Sequence, residues 1–323
     1  MLVRTSGAGV SDALRPAERP ERDRFIGVRS SSAVSEYPGR FDWTWVPIIG
    51  LGMLDAVLAR HLGMRFVGWE RFGLWTSVPA AVAVFYGISR RSDRLVDVGY
   101  YTMLWLLFSL FGCILTYLAA RADLPLRDTQ FTHYDALLRF DWCKWVTFVG
   151  SHKKFELLLA LAYSTILPQT VGSIIYFSHI RRPDRNNDFL WTTMVAGLMT
   201  CVISGLLPAR GPHLEGQHFE WWTIQNVLRG GSCATFSLER LQGIVVLPSF
   251  HTVTAILLIY SHRPPLSSFP LTLILNLLML LSIPSEGQHY LVDMISGALG
   301  VIANCCGSRP HDQAASRGAA SVD

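Results

Sequence analysis

Eight mainly apolar stretches, most of about 17–25 residues, limit what this chain can become, because each is long enough to cross a bilayer. They cover roughly residues 44–61, 73–89, 99–120, 155–179, 189–208, 244–262, 269–284 and 288–306. Lipid offers the backbone no hydrogen-bond partner, so each stretch must be helical. The expected fold class is therefore all-α, a polytopic transmembrane helical bundle of about eight spans. Composition agrees, with 50% hydrophobic and only 16% charged residues, against about 25% charged in a soluble chain. The formal charge of +4 comes without a basic groove pattern, so nucleic acid is not an expected partner. The first span contains Asp55 and Arg60, and Pro248 breaks the sixth, which points to a helix starting near Ser249.

Residues 1–43 and 307–323 are polar and read as disordered cytoplasmic tails flanking a membrane domain over 44–306. Eight spans put both tails on one side. The loops on that side include "RRSDR" (Arg90, Arg91, Arg94) and "RRPDR" (Arg181, Arg182, Arg185), and the N-terminal tail adds seven arginines. Short arginine-dense loops mark the cytoplasm. The opposite face then holds loops near 62–72, 121–154 and 209–243. In the second, "YDALLRFDWCKWVTFV" alternates Phe140, Trp142 and Trp145 with charges, as in an interfacial helix lying in the headgroup layer. Cys143 and Cys233 fall in two of these loops and can pair if the loops face an oxidising compartment; packing as unpaired thiols is the alternative.

Span counting has a chemical consequence. Ser249-Phe250-His251 opens the sixth span and His289 the eighth, so both histidines start helices on the same non-cytoplasmic surface. His289 and Asp293 stand four apart, which on a helix places them on one face. A carboxylate there can hold the imidazole Nδ1–H and leave Nε2 free to attack. His251 can deliver a proton to a departing alkoxide. Ser249 and the first N–H groups of its helix can hold phosphate oxygens. The tetrapeptide EGQH occurs twice, at Glu215–His218 and Glu286–His289. The first copy lacks support, because Trp222 stands four residues after His218.

"LPSFHTVTAILLIY" and "GQHYLVDMISGALGVI" resemble the type 2 phosphatidic acid phosphatase (PAP2) superfamily over about 60 residues, Gly243 to Ala303. That family carries a P-S-G-H motif and, later, S-R-x5-H-x3-D. Pro248, Ser249 and His251 match the first motif, and His289 and Asp293 the second. The resemblance implies that His289 is a nucleophile forming phosphohistidine and that His251 protonates the leaving group. It also implies a PAP2-like core at about 155–306. Phe250 replaces the usual Gly, Ile283 falls where Arg is expected, and the family's K-x6-R-P motif has no counterpart. A P-S-F-H motif without that Arg looks more like the inositol phosphorylceramide synthase branch (inositolphosphotransferases) and its bacterial relatives. The run from Asp135 to Trp142 is also similar to bacterial members of that branch. Phosphoryl charge still needs a cation; Arg210 and His213 in "PARGPH" are the first candidates, then Arg229 and Arg240.

The expected function is thus a membrane lipid phosphatase or phosphotransferase without cofactor or metal. Its partners would be a lipid phosphate and, for a transferase, a lipid alcohol acceptor. The expected location is a bacterial inner membrane with a periplasmic site, or a Golgi or endoplasmic reticulum membrane with a lumenal one. Two other classes stand beside it. One is a zinc hydrolase using His251, His289 and Asp293. The other is a non-catalytic lipid-binding or transport protein on the same scaffold.

Overall fold

The computed structural model describes residues 43–89, 91–231 and 235–307, with side chains to 303. The two expected tails, and the side chains of Cys233, Cys305 and Cys306, lie outside the described residues. Among those residues the chain forms twelve α-helices and one pair of short strands. The helices are α1 (Trp45–His61), α2 (Trp69–Ser89), α3 (Asp93–Ala120), α4 (Asp128–Leu137), α5 (Trp142–Ser151) and α6 (Lys153–Ser164). They continue with α7 (Ile166–His179), α8 (Pro183–Leu206), α9 (Glu220–Arg229), α10 (Phe250–Ser261), α11 (Phe269–Glu286) and α12 (Leu291–Gly307).

Each expected span coincides with a helix or a broken pair, so the all-α polytopic bundle stands. By length and composition, α2, α3, α8 and α11 can each cross a membrane alone. The α6–α7 pair makes a fifth span, bent by 48°. Pro168 explains the bend, since it lacks the N–H that would reach back to Ser164. Three expected spans are shorter, with 17 residues in α1, 12 in α10 and 17 in α12. The sixth loses its beginning because residues 241–249 are not helical. Ser249 caps α10 by accepting the Thr252 N–H, so the helix cannot start earlier.

The interfacial segment also differs from a single helix. Arg139 takes a positive φ of 57°, and Asp141 then caps α5 through the Lys144 N–H at 3.0 Å. The chain therefore makes two short helices, α4 and α5. Strands β1 (Arg65–Val67) and β2 (Thr235–Ser237) pair in parallel, with Phe66 opposite Phe236, and tie together two loops expected on one face.

The core forms around α3 and α8. Leu104 and Phe108 of α3 pack with Leu190 and Met194 of α8 and with Ile48 and Leu51 of α1. Phe189 and Ala196 of α8 meet Val253 and Leu257 of α10 and Val301 of α12. Helix α2 buries nothing and exposes Trp75, Val78, Phe85 and Ile88. Such an apolar outer face belongs against lipid. One close approach matters for the site. A Cβ on Gly297 would stand 2.9 Å from the Ser249 carbonyl oxygen. The missing side chain lets α12 lie against the start of α10.

Candidate active site

Helices α10 and α12 bring His251 and His289 to one cavity of about 460 Å³, which Arg210, Glu286, Gln288 and Tyr163 also line. That volume falls in the range of roughly 300–1,000 Å³ usual for small-molecule sites. His289 precedes α12 rather than opening it, because the helix starts two residues later. Its pairing with Asp293 survives because Asp293 folds back from the first turn. Asp293 Oδ2 accepts the Tyr290 N–H at 2.9 Å and stands 3.4 Å from His289 Nδ1. Both side chains are buried.

At 3.4 Å, Nδ1 has no hydrogen-bond partner, and neither does Asp293 Oδ1. The Val246 backbone also hydrogen-bonds the ring. Burial drives the His289 pKa down to about 4, against a smaller opposing effect of that Val246 hydrogen bond. The imidazole is consequently neutral at neutral pH, the form that can attack.

His251 is held from a direction not visible in the sequence. Tyr163 of α6 stacks on its ring, with centroids 4.3 Å apart, and the phenol oxygen lies 3.4 Å from Nδ1. Nothing distinguishes Tyr163 in sequence from a lipid-facing aromatic within an apolar run. Ser249 is fully buried and serves as the cap of α10. Its N–H donates to the Asp293 carbonyl at 3.1 Å, joining the two helix starts, but Ser249 does not line the cavity. Phe250, where the family motif has Gly, forms part of the wall.

Of the candidate cations, the structure brings Arg210 to the cavity. Arg210 Nη2 donates to Asn226 Oδ1, while Nε is buried without a hydrogen-bond partner. His213 is exposed, packs edge-on against Trp222 and does not line the cavity. Arg229 pairs with Asp123 at 2.8 Å, and Arg240 is exposed; neither lines the cavity. His218 is exposed and follows the Glu215–Gly216 turn. Among the described residues no three His, Cys, Asp or Glu side chains group as metal ligands would.

Two acids in α4 fix the frame. Asp128 accepts the Arg210 and Gly211 N–H groups at 2.9 and 3.0 Å and the Tyr290 hydroxyl at 3.1 Å, linking the arginine loop to the residue after His289. Sequence reasoning missed Asp128, which has no motif around it. Asp135 accepts the Leu291 and Val292 N–H groups at 2.9 and 3.0 Å, so it caps α12 from another helix. Desolvation raises its pKa, while those two hydrogen bonds act the other way. At the far end of the same run, Trp142 Nε1 donates to the Pro284 carbonyl at 2.6 Å. The Asp135–Trp142 run thus grips both sides of the break between α11 and α12 that carries His289. Replacing Asp135 with Ala leaves two part-buried N–H groups without their acceptor, so the protein should lose about 1–3 kcal/mol of stability. A thermal melt in detergent checks this, and an unchanged melting temperature would contradict the capping role.

The PAP2 superfamily model matches residues 129–306. The match starts ahead of the expected 155 and so takes in most of α4 and all of α5, including the Asp135–Trp142 run. No curated protein and no solved structure matches the chain. The matched segment covers more than half of the sequence and contains both histidines, Asp293 and Arg210, and the chain is an integral membrane protein that belongs to the PAP2 superfamily.

Proposed function

We propose that the protein is a lipid phosphatase or phosphotransferase acting through a phosphohistidine on His289. The observation that carries this reading is the cavity shared by His251 and His289, with Asp293 3.4 Å behind the second ring. His289 Nε2 attacks phosphorus in the tautomer that carries the ring proton on Nδ1, facing Asp293, and the Val246 contact is given up. The bond from phosphorus to the leaving alcohol oxygen breaks, and protonated His251 gives that oxygen its proton. The negative charge of an arriving phosphate favours the imidazolium form of His251. Asp293 stabilises the positive ring formed on His289, its contact shortening as charge develops. Arg210, with an unpartnered Nε, balances charge on the phosphoryl oxygens.

In the second step an acceptor hydroxyl attacks the phosphohistidine. His251 takes its proton, and the bond between phosphorus and nitrogen breaks. Water yields a phosphatase, and a lipid alcohol yields a headgroup transferase of the inositol phosphorylceramide synthase type. The P-S-F-H motif and the absent Ser-Arg pair favour the transferase. The arginine-dense loops favour a site on the non-cytoplasmic face, periplasmic in a bacterium.

The test is to incubate purified protein with a phospholipid carrying labelled phosphate, with and without ceramide, and quench during turnover. An acid-labile label mapping to His289 is expected. Free phosphate or phosphoalcohol alone indicates hydrolysis, and a new headgroup-bearing lipid indicates transfer. Label on His218, or on no histidine during turnover, would overturn the assignment.

A further inference from the structure

The cavity does not end at the histidines. A second arm runs between α3 and α8, walled by Phe108, Gly112 and Cys113 on one side and Gly197, Leu198 and Cys201 on the other. Residues 108–116 of α3 rise about 12 Å along this wall. A phosphate group, five heavy atoms in all, fills only a fraction of about 460 Å³. Helix α3 precedes the segment matched by the superfamily, so half of this wall lies outside that segment.

The arm is mostly apolar. Each thiol turns toward a backbone carbonyl, Cys113 toward Gln242 and Cys201 toward Gly112, both at 3.6 Å. The Thr116 hydroxyl donates to the Cys113 carbonyl at 2.7 Å. Width varies along the arm. A Cβ on Gly197 would meet the Phe108 ring at 3.0 Å, whereas one on Gly112 would meet nothing within 4 Å. Gly112 thus borders open space.

We infer that this arm receives a hydrocarbon chain of the phosphate-bearing lipid, and that Gly112 sets how far the chain can enter. The inference rests on the lipid-phosphate reading above. A chain leaving the bilayer exchanges one apolar surrounding for another, so the arm contributes fit rather than hydrophobic driving force. Its effect falls on which chain binds, and α3 becomes the element that determines chain preference.

The experiment uses the full chain in nanodiscs with decyl phosphate bearing a diazirine at its far carbon. Irradiation and peptide mapping should place label on segments 108–116 and 197–201, and unlabelled decyl phosphate should compete it away. Gly112→Phe should lower that labelling about 10-fold, the discrimination available to a pocket that gains or loses one apolar group. Gly112→Ala, with room for its methyl, should retain it. Label confined to lipid-facing residues such as Val84 and Ile88, or equal labelling in Gly112→Phe, would overturn the inference. The wild-type map decides the matter even if the phenylalanine variant fails to fold. Phosphate release with no label in the arm removes the chain site alone. Label in the arm with neither phosphate release nor phosphoryl transfer to an added lipid alcohol keeps the chain site and removes the catalytic reading.

Discussion

His289→Asn is expected to lower turnover of a lipid phosphate at least ~10³-fold, the scale of loss when a nucleophile is removed from a unit that acts together. The side chain lines the cavity but does not hold the frame. Asp293 keeps the Tyr290 N–H, and Asp135 keeps the start of α12. The variant should therefore fold, and its far-ultraviolet circular dichroism should match the parent. A second readout separates chemistry from packing. The folded His289 resists protonation until about pH 4, against an ordinary value of 6.5. Between those values the unfolded chain binds a proton that the folded chain does not, so folding weakens as pH falls through that window. The asparagine variant should lose that part of the acid sensitivity in thermal melts. Turnover within tenfold of the parent would sink the nucleophile assignment.

Gly211→Ala is expected to cost about 10²-fold in kcat although residue 211 does no chemistry. Gly211 sits at φ +89°, a conformation side chains rarely adopt, and its Cβ would collide with the Gln288 carbonyl oxygen. Neither backbone can yield alone. Gly211 follows Arg210, Gln288 precedes His289, and Asp128 ties the arginine loop to Tyr290. Relieving the clash must move the cation and the nucleophile apart, and a shift of about 1 Å is enough for such a loss. Strain adds roughly 1–3 kcal/mol of destabilisation. Steady-state kinetics with a thermal melt would check both parts. A variant with unchanged kcat and melting temperature would show that the loop and the His289 segment move independently.

The fold class was legible because a lipid-facing backbone has one solution. Apolar runs had to be helices, and eight such runs fixed the positions of eight helices or broken pairs. The same physics explains where boundaries slipped. Apolar composition could not reveal that residues 244–246 line a cavity instead of belonging to α10, since Val245 and Val246 suit either environment. The Pro248–Ser249 step did mark the start of α10, because proline and a capping serine act through local geometry. The histidines were legible for a similar reason, since spacing and span parity are properties of the chain order.

Contacts between distant helices were not legible. Tyr163 on His251, Asp128 under Arg210 and Asp135 on α12 each depend on where one helix lies against another. A lone tyrosine in an apolar run carries no record of that. The repeated tetrapeptide states the division most plainly. By itself the sequence determined a membrane helical bundle and two histidines near the starts of two of its helices. Only the tertiary structure decided that Glu286–His289 lines a cavity while Glu215–His218 begins with an exposed turn. The four residues are chemically identical. One copy is clamped between α11 and α12 by Trp142, Asp135 and Asp293, and the other leads into a surface helix.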